Sequence, residues 1–399
     1  MEYRTMKIEP RTLKGFRDFL PKEARKRQYV ISTLRKVFES YGFEPLETPT
    51  LEYEDILMGK YGEEGDKLMY RFEDNGQRRV AMRYDQTVPL ARVVAQYQNE
   101  LPFPFKRYQI QNVWRAENTQ KGRFREFLQC DIDTVGDGSI GCDAEILSVV
   151  NKSLQALGFT SYRILINDRK NFENVDPSAI LTIDKLKKIG QDGVKQELSD
   201  KGFDPALLDE IQSKEPSQLI QIILNNKGFT GNNIVYEPTL ARGLDYYTGI
   251  IIEVEIEGFD AGSVGGGGRY DGLIGMFGNQ DVPAVGFAFG FERVMEAMEE
   301  QGLFPKDLTT TKVLVAVPSE EMEWTSIGAT LWLREKGINT ETYLNASPMD
   351  KQFRYAEKKE IPYIVIPLNE SELELRSKNA DGSINKEVLS MESIIEKIV

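Results

Sequence analysis

The sequence predicts an α+β protein: a main body in which helices flank a sheet, a helical insertion at about residues 169–235, and a C-terminal α/β module. Three observations carry that prediction. The 399 residues, 40% of them hydrophobic, are enough for two or three domains. Helical and two-residue periodicities succeed one another up to about residue 310. From Lys312 to Val399, strand-like and helical segments alternate in β-α-β-α-β order.

Taken in order, Val30, Leu34, Val37, Phe38 and Tyr41 repeat at helical spacing, and Gly42 supplies a stop signal. Short strands and turns follow to about residue 136. Within them Arg123, Arg125, Phe127, Gln129, Asp131 and Asp133 occupy every second position, while Phe124, Leu128, Cys130 and Ile132 supply the apolar remainder. A period of two sets the odd side chains on one face of a strand and leaves the other for a core. A second amphipathic helix runs over Asp143–Leu157 and stops at Gly158. The insertion carries helical patterns at Leu186–Leu198 and Leu207–Leu224. Strand-like Gly249–Ile256 leads to a glycine-rich passage, Gly262–Gly272, then a strand at Val282–Phe289 and a helix from Phe291. The polar run Thr309–Thr311 reads as a linker, dividing residues 1–310 from 312–399. Beyond it the expected elements are a strand at Val313–Val317, a helix to about Lys336, a strand at Ile338–Leu344, a helix over Asp350–Lys359 and a strand at Pro362–Pro367.

Composition excludes several classes of function. The net charge of −13, 50 basic against 63 acidic residues, argues against a protein that coats nucleic acid indiscriminately. Local basic patches remain: Lys106, Arg107, Arg115, Lys121, Arg123 and Arg125 face only one acid, Glu117, and Lys351, Arg354, Lys358 and Lys359 cluster near the C-terminus. By itself the second cluster reads as a solvated helix face. Two cysteines and no histidine argue against a disulfide framework, a zinc site and any protein-bound structural metal. No apolar run approaches membrane-spanning length, and Met1–Arg17 is charged throughout, so a cytoplasmic enzyme without membrane contact is expected.

The odd-numbered face grades from two guanidiniums, through one ring, to two carboxylates. Such a groove suits a ligand that is phosphate at one end, flat in the middle and cationic at the other, as ATP is when it lies against an amino acid. The four glycines at 265–268 match neither a Walker nor a dinucleotide pattern and no helix-opening lysine follows, which leaves a phosphate-cradling loop and close backbone approach to a ligand both open.

Five segments together resemble a histidyl-tRNA synthetase over essentially the whole length. Arg115-Ala116-Glu117, a loop, and Gly122 through Asp131 resemble the motif 2 hairpin of class II aminoacyl-tRNA synthetases in its histidine-specific form. Gly286 through Arg293 is similar to motif 3, and Tyr41-Gly42-Phe43 with Pro49 resembles motif 1, whose proline lies at the dimer interface in the family. Ala241 through Gly249 resembles a signature specific to the histidyl enzymes, and Gly265 through Gly272 resembles its partner. The resemblance implies a class II antiparallel sheet and a C-terminal anticodon-binding domain. It also implies a homodimer that uses L-histidine, ATP with its accompanying Mg2+, and tRNA(His).

Residue roles follow from the resemblance. Arg115 would hold the α-phosphate and the substrate carboxylate, Glu117 would accept from the adenine amino group and Phe127 would stack on the base. Arg123 and Arg293 would reach the terminal phosphates or cover the ring. Arg242 would approach the α-phosphate and stabilise charge as the histidine carboxylate displaces pyrophosphate. Asp85 and Thr87, expected to alternate on one strand face, would bind the ammonium together with Gln129. Asp133, Tyr246 and Tyr247 would form the imidazole pocket. Gln120 and Lys121 in the motif 2 loop would meet the acceptor end of the tRNA, and Lys351 and Arg354 its anticodon region. Asp131 shares the face without an equally firm role.

Two rivals stay open at this point. One is a regulatory paralogue serving an ATP phosphoribosyltransferase, which would normally lack the anticodon module and often the signature arginine; the other is a non-catalytic tRNA-binding module. The absence of histidine fits an enzyme that can be translated without charged histidine, and equally an engineered or reduced-alphabet sequence. Either way no protein imidazole can act as general base, and proton removal falls to substrate phosphate, carboxylate or water.

Overall fold

The computed structural model describes residues 9–60, 62–119, 122–226, 228, 231–242, 247–278, 281–378 and 383–398. The chain divides into two compact units, one formed by Arg27–Phe304 with the segment ending at Asp18, the other by Pro305–Val399 with Phe19–Lys26.

In chain order the strands of the first unit are β1 (Glu44–Pro45), β2 (Leu51–Tyr53), β3 (Arg71–Glu73), β4 (Arg79–Met82), β5 (Phe105–Trp114) and β6 (Glu126–Val135), followed by β7 (Tyr162–Asp168), β8 (Ile234–Tyr236), β9 (Ile250–Ile256), β10 (Gly265–Arg269) and β11 (Ala284–Gly290). The main sheet runs β1-β5-β6-β11-β10-β9-β7-β8, and β2, β4 and β3 form a small second sheet. Five central pairings, from β5–β6 to β9–β7, are antiparallel. Only the outer pairs β1–β5 and β7–β8 are parallel.

One face of this sheet is the core. Leu128, Cys130 and Ile132 of β6 meet Val30, Leu34, Val37 and Phe38 of helix Pro21–Ser40, Ile146, Leu147 and Val150 of helix Ile140–Ala156, and Val294 and Met298 of helix Phe291–Glu300. Burying these side chains contributes on the order of 1.5–3 kcal/mol each. The first two helices end where Gly42 and Gly158 adopt φ of +78° and +93°, a left-handed turn that a side chain would disfavour.

Four sequence expectations need correction. Leu207–Leu224 is not one helix but two, Ala206–Gln212 and Gln218–Asn225, because Pro216 cannot continue the first and Ser217 caps the second through its hydroxyl. Helix Leu186–Asp200 is kinked at Gly190, where φ is +71°. Asp85 and Thr87 do not share a strand: β4 ends at Met82, Thr87 opens helix Thr87–Tyr97, and Asp85 accepts the Val88 amide at 3.1 Å. The glycine run is itself a strand, β10.

The second unit contains β12 (Val313–Val315), β13 (Thr340–Thr342), β14 (Tyr363–Pro367), β15 (Glu372–Lys378) and β16 (Ile384–Ser390) in the order β13-β12-β14-β15-β16. The first three are parallel, as the β-α-β-α-β spacing implies, with helices Glu323–Glu335 and Met349–Lys358 as crossovers. The antiparallel hairpin β15–β16 and helix Met391–Ile398 were not anticipated. Glu, Lys, Ser and Asn occupy most of the hairpin and β16 is largely exposed, so hydrophobic alternation is weak there.

Candidate active site

The second face of the main sheet is a polar floor with a small-residue wall. Pairing register places Arg107 of β5 opposite Asp133 of β6, Gln109 opposite Asp131, and Gln111 opposite Gln129. On the other side of β6, the residues of β11 paired with Asp133, Asp131 and Gln129 are Gly286, Ala288 and Gly290. Beyond these, Gly268 and Gly266 of β10 pair with Gly286 and Ala288. Polar side chains therefore rise from β5 and β6 while β11 and β10 leave the space above them open.

Two connected lobes of about 320 and 430 Å³ lie over this floor and share Arg115, Arg123, Gln129, Arg242, Gly266 and Ala288. Glu117, Phe127, Phe289, Glu292 and Arg293 also line the first lobe. The second is lined by Tyr84, Asp85, Thr87, Asp131, Asp133, Tyr247 and Tyr270. The basic-to-acidic gradient read from the alternation is thus present, except that Arg125 lies outside both lobes. Its side chain packs on Gly15 and donates from Nε to the Glu117 carbonyl at 3.1 Å.

In the first lobe Arg115 donates from Nε to the Tyr84 carbonyl at 3.0 Å. Its guanidinium carbon sits 4.4 Å from the Tyr84 ring centre and 5.2 Å from that of Phe127. Those contacts hold a cation beside a ring that a flat ligand can share. Arg123 lies 3.6 Å from Glu117, and Arg293 donates to the Ser263 carbonyl at 2.8 Å. Burial pulls the Arg293 guanidinium below its usual range, and Arg123 acts in the same direction. Glu292 is closed off by Arg17 at 2.6 Å and Arg27 at 2.9 Å.

Arg242 stands at the junction of the lobes. It has a left-handed backbone, φ +47°, unusual for a side-chain-bearing residue, and its amide donates to Asp184 Oδ1 at 3.2 Å. Nη1 reaches Glu253 Oε2 at 3.4 Å. The guanidinium occupies the volume where a side chain on Gly266 would be, and the Tyr247 ring does the same over Gly268. The close approach demanded of the glycine strand is thus, in this structure, an approach by the chain's own Arg242 and Tyr247.

In the second lobe Asp133 has Oδ1 hydrogen-bonded and Oδ2 ion-paired but without a hydrogen bond. Tyr270 donates its hydroxyl to Oδ1, and Oδ2 lies 2.8 Å from Nη2 of Arg107, which is fully buried. Asp133 thus orients Tyr270 and lies beside Arg107, while its Oδ2 still lacks a hydrogen-bond donor. Asp131 Oδ2 accepts from Gln129 Nε2 at 3.4 Å, and its Oδ1 is without a hydrogen-bond partner, as are Gln129 Oε1 and Asp133 Oδ2. Burial raises the proton affinity of both aspartates, well above the usual carboxylate range for Asp131, with Arg107 opposing. Burial likewise pushes the Tyr247 phenol up.

Pro49 is exposed on the segment leading to β2, and its carbonyl accepts from Arg83 Nη1 at 3.3 Å. Lys351 and Arg354 are exposed on helix Met349–Lys358. Lys359 is drawn from that cluster by Glu341, to which it and Tyr355 both donate. Tyr246, Gln120 and Lys121 lie outside the described residues.

Sequence reasoning missed Tyr270, Arg107, Tyr84 and Glu253. Arg107, Gln109 and Gln111 carry the same period-two polar signal as β6 and were findable by it. Tyr270 follows the glycine strand with no local mark of its partner, which is 137 residues away.

Comparison with known proteins is consistent across the chain. A family profile described as Histidyl-tRNA synthetase matches residues 15–179 and 171–294, and one described as Anticodon binding domain matches 312–399. The Histidine–tRNA ligase of Christiangramia forsetii is 39% identical over 422 residues, covering 90% of this chain and 92% of that protein. The Histidine–tRNA ligase of Aeropyrum pernix is 40% identical over 393 residues, covering 89% of each. The crystal structure of histidyl-tRNA synthetase from Nostoc sp. PCC 7120 superposes with a TM-score of 0.83 at 30% identity, over 98% of this chain and all of that one.

Proposed function

Since the chain belongs to the histidyl-tRNA synthetase family and acts as an ATP-dependent histidine–tRNA ligase, we propose that the two-lobed groove is where histidine and ATP react. ATP takes the first lobe, with its base stacked on Phe127, its amino group toward Glu117, and its terminal phosphates toward Arg123 and Arg293. Histidine takes the second, its ammonium toward Asp85, Thr87 and Gln129 and its imidazole toward Tyr247 and Tyr270, with Tyr246 as a further contact. A histidine carboxylate oxygen then bonds to the α-phosphorus as the bond to the pyrophosphate oxygen breaks. Arg115 and Arg242 stabilise the negative charge at that centre. The carboxylate is already ionised, so this step needs no general base. In the second step a ribose hydroxyl of the tRNA attacks the activated carbonyl, AMP departs, and its phosphate oxygen can take the hydroxyl proton.

One observation carries the reading: Arg115 and Arg242 line both lobes, so the two cations stand where an oxyanion of each substrate must meet. Mg2+ enters as part of the ATP substrate, bound through its phosphates. Residues 1–310, with the insertion at about 169–235, form the catalytic domain. Residues 312–399 form the anticodon-binding domain, where Lys351 and Arg354 contact tRNA(His), while Gln120 and Lys121 reach its acceptor end. A second copy of the chain covers the small sheet beside Pro49, where Leu51, Tyr53 and Phe72 are 40%, 56% and 43% exposed, making a homodimer. The enzyme works in the cytoplasm, with its tRNA; among the described residues no helix is long and apolar enough to cross a membrane.

Pyrophosphate exchange into ATP, measured with each amino acid in turn and followed by charging of tRNA, tests the reading. Exchange should require histidine. Exchange supported equally by another amino acid, or histidine binding without any exchange, would overturn it.

A further inference from the structure

Arg242 is held from two sides by residues that line neither lobe. On the backbone side, Asp184 of the helical insertion accepts the Arg242 amide at 3.2 Å, at the left-handed turn. On the side-chain side, Glu253 of β9 accepts from Arg242 Nη1 at 3.4 Å through Oε2, while its Oε1 accepts from Lys187 Nζ at 3.2 Å. Lys187 also donates to Glu255, two residues along β9 and on the same face. Four charges of alternating sign, Arg242, Glu253, Lys187 and Glu255, thus run outward from the junction of the lobes. The third belongs to helix Leu186–Asp200 of the insertion.

We propose that Glu253 is a positioning residue for the activation step, and that Lys187 sets how far it draws Arg242 away from the α-phosphate. The proposal rests on Arg242 serving the α-phosphate in the groove. Glu253 and Gly266 are Cα partners on β9 and β10, so the carboxylate rises on the same face, beside the space that the Arg242 guanidinium fills. The 3.4 Å contact is long for opposite charges, which close to about 2.7–2.9 Å when nothing competes.

Lys187 is the competitor. Burial works against its ammonium, yet Glu255 and Glu253 raise its proton affinity above the usual lysine range, so it stays charged. A carboxylate shared between two cations holds each less tightly than it would hold one, and Arg242 keeps charge to give to an incoming oxyanion. Its Nε is buried and without a hydrogen bond among the described residues, a donor that still lacks an acceptor. Without Lys187, Glu253 closes on Arg242 and turns it from the phosphate. Without Glu253, Arg242 loses the ion pair that fixes its side chain. Either change misplaces the guanidinium, and a misplacement of about 1 Å can cost roughly 100-fold.

The test is histidine-dependent pyrophosphate exchange on the full-length protein, read as kcat and as KM for histidine and ATP, with melting temperatures alongside. Glu253→Gln keeps the shape and removes the charge. It should lower kcat by about 10- to 100-fold, as for a hydrogen bond between charged groups, with both KM values within about threefold. Lys187→Gln should lower kcat by about threefold to fivefold, a smaller factor because Lys187 is 54% exposed, and Lys187→Arg should recover most of the loss. Added to Glu253→Gln, Lys187→Gln should cost nothing more, because no carboxylate is left to release. Glu255→Gln removes the outer partner of the same lysine and should change kcat by less than about twofold.

An unchanged kcat in Glu253→Gln or in Lys187→Gln would overturn the proposal. So would a Lys187→Gln loss that persists in the Glu253→Gln background, or a Glu255→Gln loss as large as that of Lys187→Gln, because either marks the lysine as a group that only docks the insertion on β9. Should Glu253→Gln melt early, the comparison of Lys187→Gln with Glu255→Gln decides alone. Failure of the underlying reading looks different, since Arg242→Ala would then exchange pyrophosphate like the wild-type protein.

Discussion

Replacing Gly266 with alanine tests the placement of Arg242 with one methyl group. A Cβ on Gly266 would stand 1.5 Å from Arg242 Nη1. Carbon and nitrogen atoms in contact sit about 3.5 Å apart, so the guanidinium must retreat by about 2 Å. What stands in the way is the far end of a flexible side chain, and stability should change by less than about 1 kcal/mol. Catalysis should not be spared: a misplacement of about 1 Å can cost roughly 100-fold, and loss of one oxyanion donor costs about 100- to 1,000-fold. Histidine-dependent exchange of pyrophosphate into ATP should therefore fall by about 100-fold, or about 3 kcal/mol of transition-state stabilisation. Arg242→Ala should fall by a similar factor or more, and the double variant should be little worse than Arg242→Ala, because both changes remove one contact. Gly267→Ala serves as the contrast. Its Cβ would meet the Gly286 carbonyl oxygen at 2.1 Å, a backbone atom that cannot swing aside, so that variant should lose folding first. Wild-type exchange in Gly266→Ala, or effects of Gly266→Ala and Arg242→Ala that multiply, would refute the reasoning.

Asp133→Ala should raise the KM for histidine far more than that for ATP. It should also cost about 3–5 kcal/mol of stability in chemical denaturation, because Arg107 is left buried without its carboxylate. Tyr270→Phe should raise the histidine KM by about tenfold and cost about 1–3 kcal/mol of stability, since Asp133 Oδ1 loses its donor; equal effects on the KM values of both substrates would contradict the placement. Lys351→Ala with Arg354→Ala should reduce tRNA charging and its salt dependence while leaving pyrophosphate exchange intact, and a matching loss of exchange would deny them a tRNA role. Asp143, buried beside Arg269, has its folded pKa raised from 3.8 to about 6 by desolvation, Arg269 opposing. A raised folded value favours the folded state below the unfolded pKa, and that contribution is lost as pH rises through about 6. Relative to Asp143→Asn, the wild-type protein should therefore lose on the order of 3 kcal/mol between pH 4 and pH 6.5 in denaturant midpoints, and parallel profiles would exclude the effect.

Much of the fold was legible wherever burial is one-sided. Val30, Leu34, Val37 and Phe38 marked a helix, and Cys130 and Ile132 marked the inner face of β6, since both elements separate water from core along a simple period. Reading failed where that separation is weak or where turn chemistry interrupts it. The hairpin β15–β16 is mostly polar with β16 largely exposed, Pro216 divides an apolar pattern that looked continuous, and Asp85 precedes a helix and accepts its Val88 amide instead of extending a strand. In the site, the row Gln129, Asp131, Asp133 was visible but its division of labour was not. Which carboxylate is occupied depends on Arg107 and Tyr270, and neither lies on β6.

By itself the amino-acid order determined the families of side chains on the β6 faces, the glycine run and the signature arginine, because these are local properties of spacing and type. Only the tertiary structure decided what those residues touch. The β6–β11–β10 register sets Ala288 and Gly266 beside Asp131, Arg242 fills the space that Gly266 leaves, and Tyr270 closes on Asp133. Antiparallel pairing between segments far apart in the chain sets those meetings, and no period within a single segment encodes the register of another.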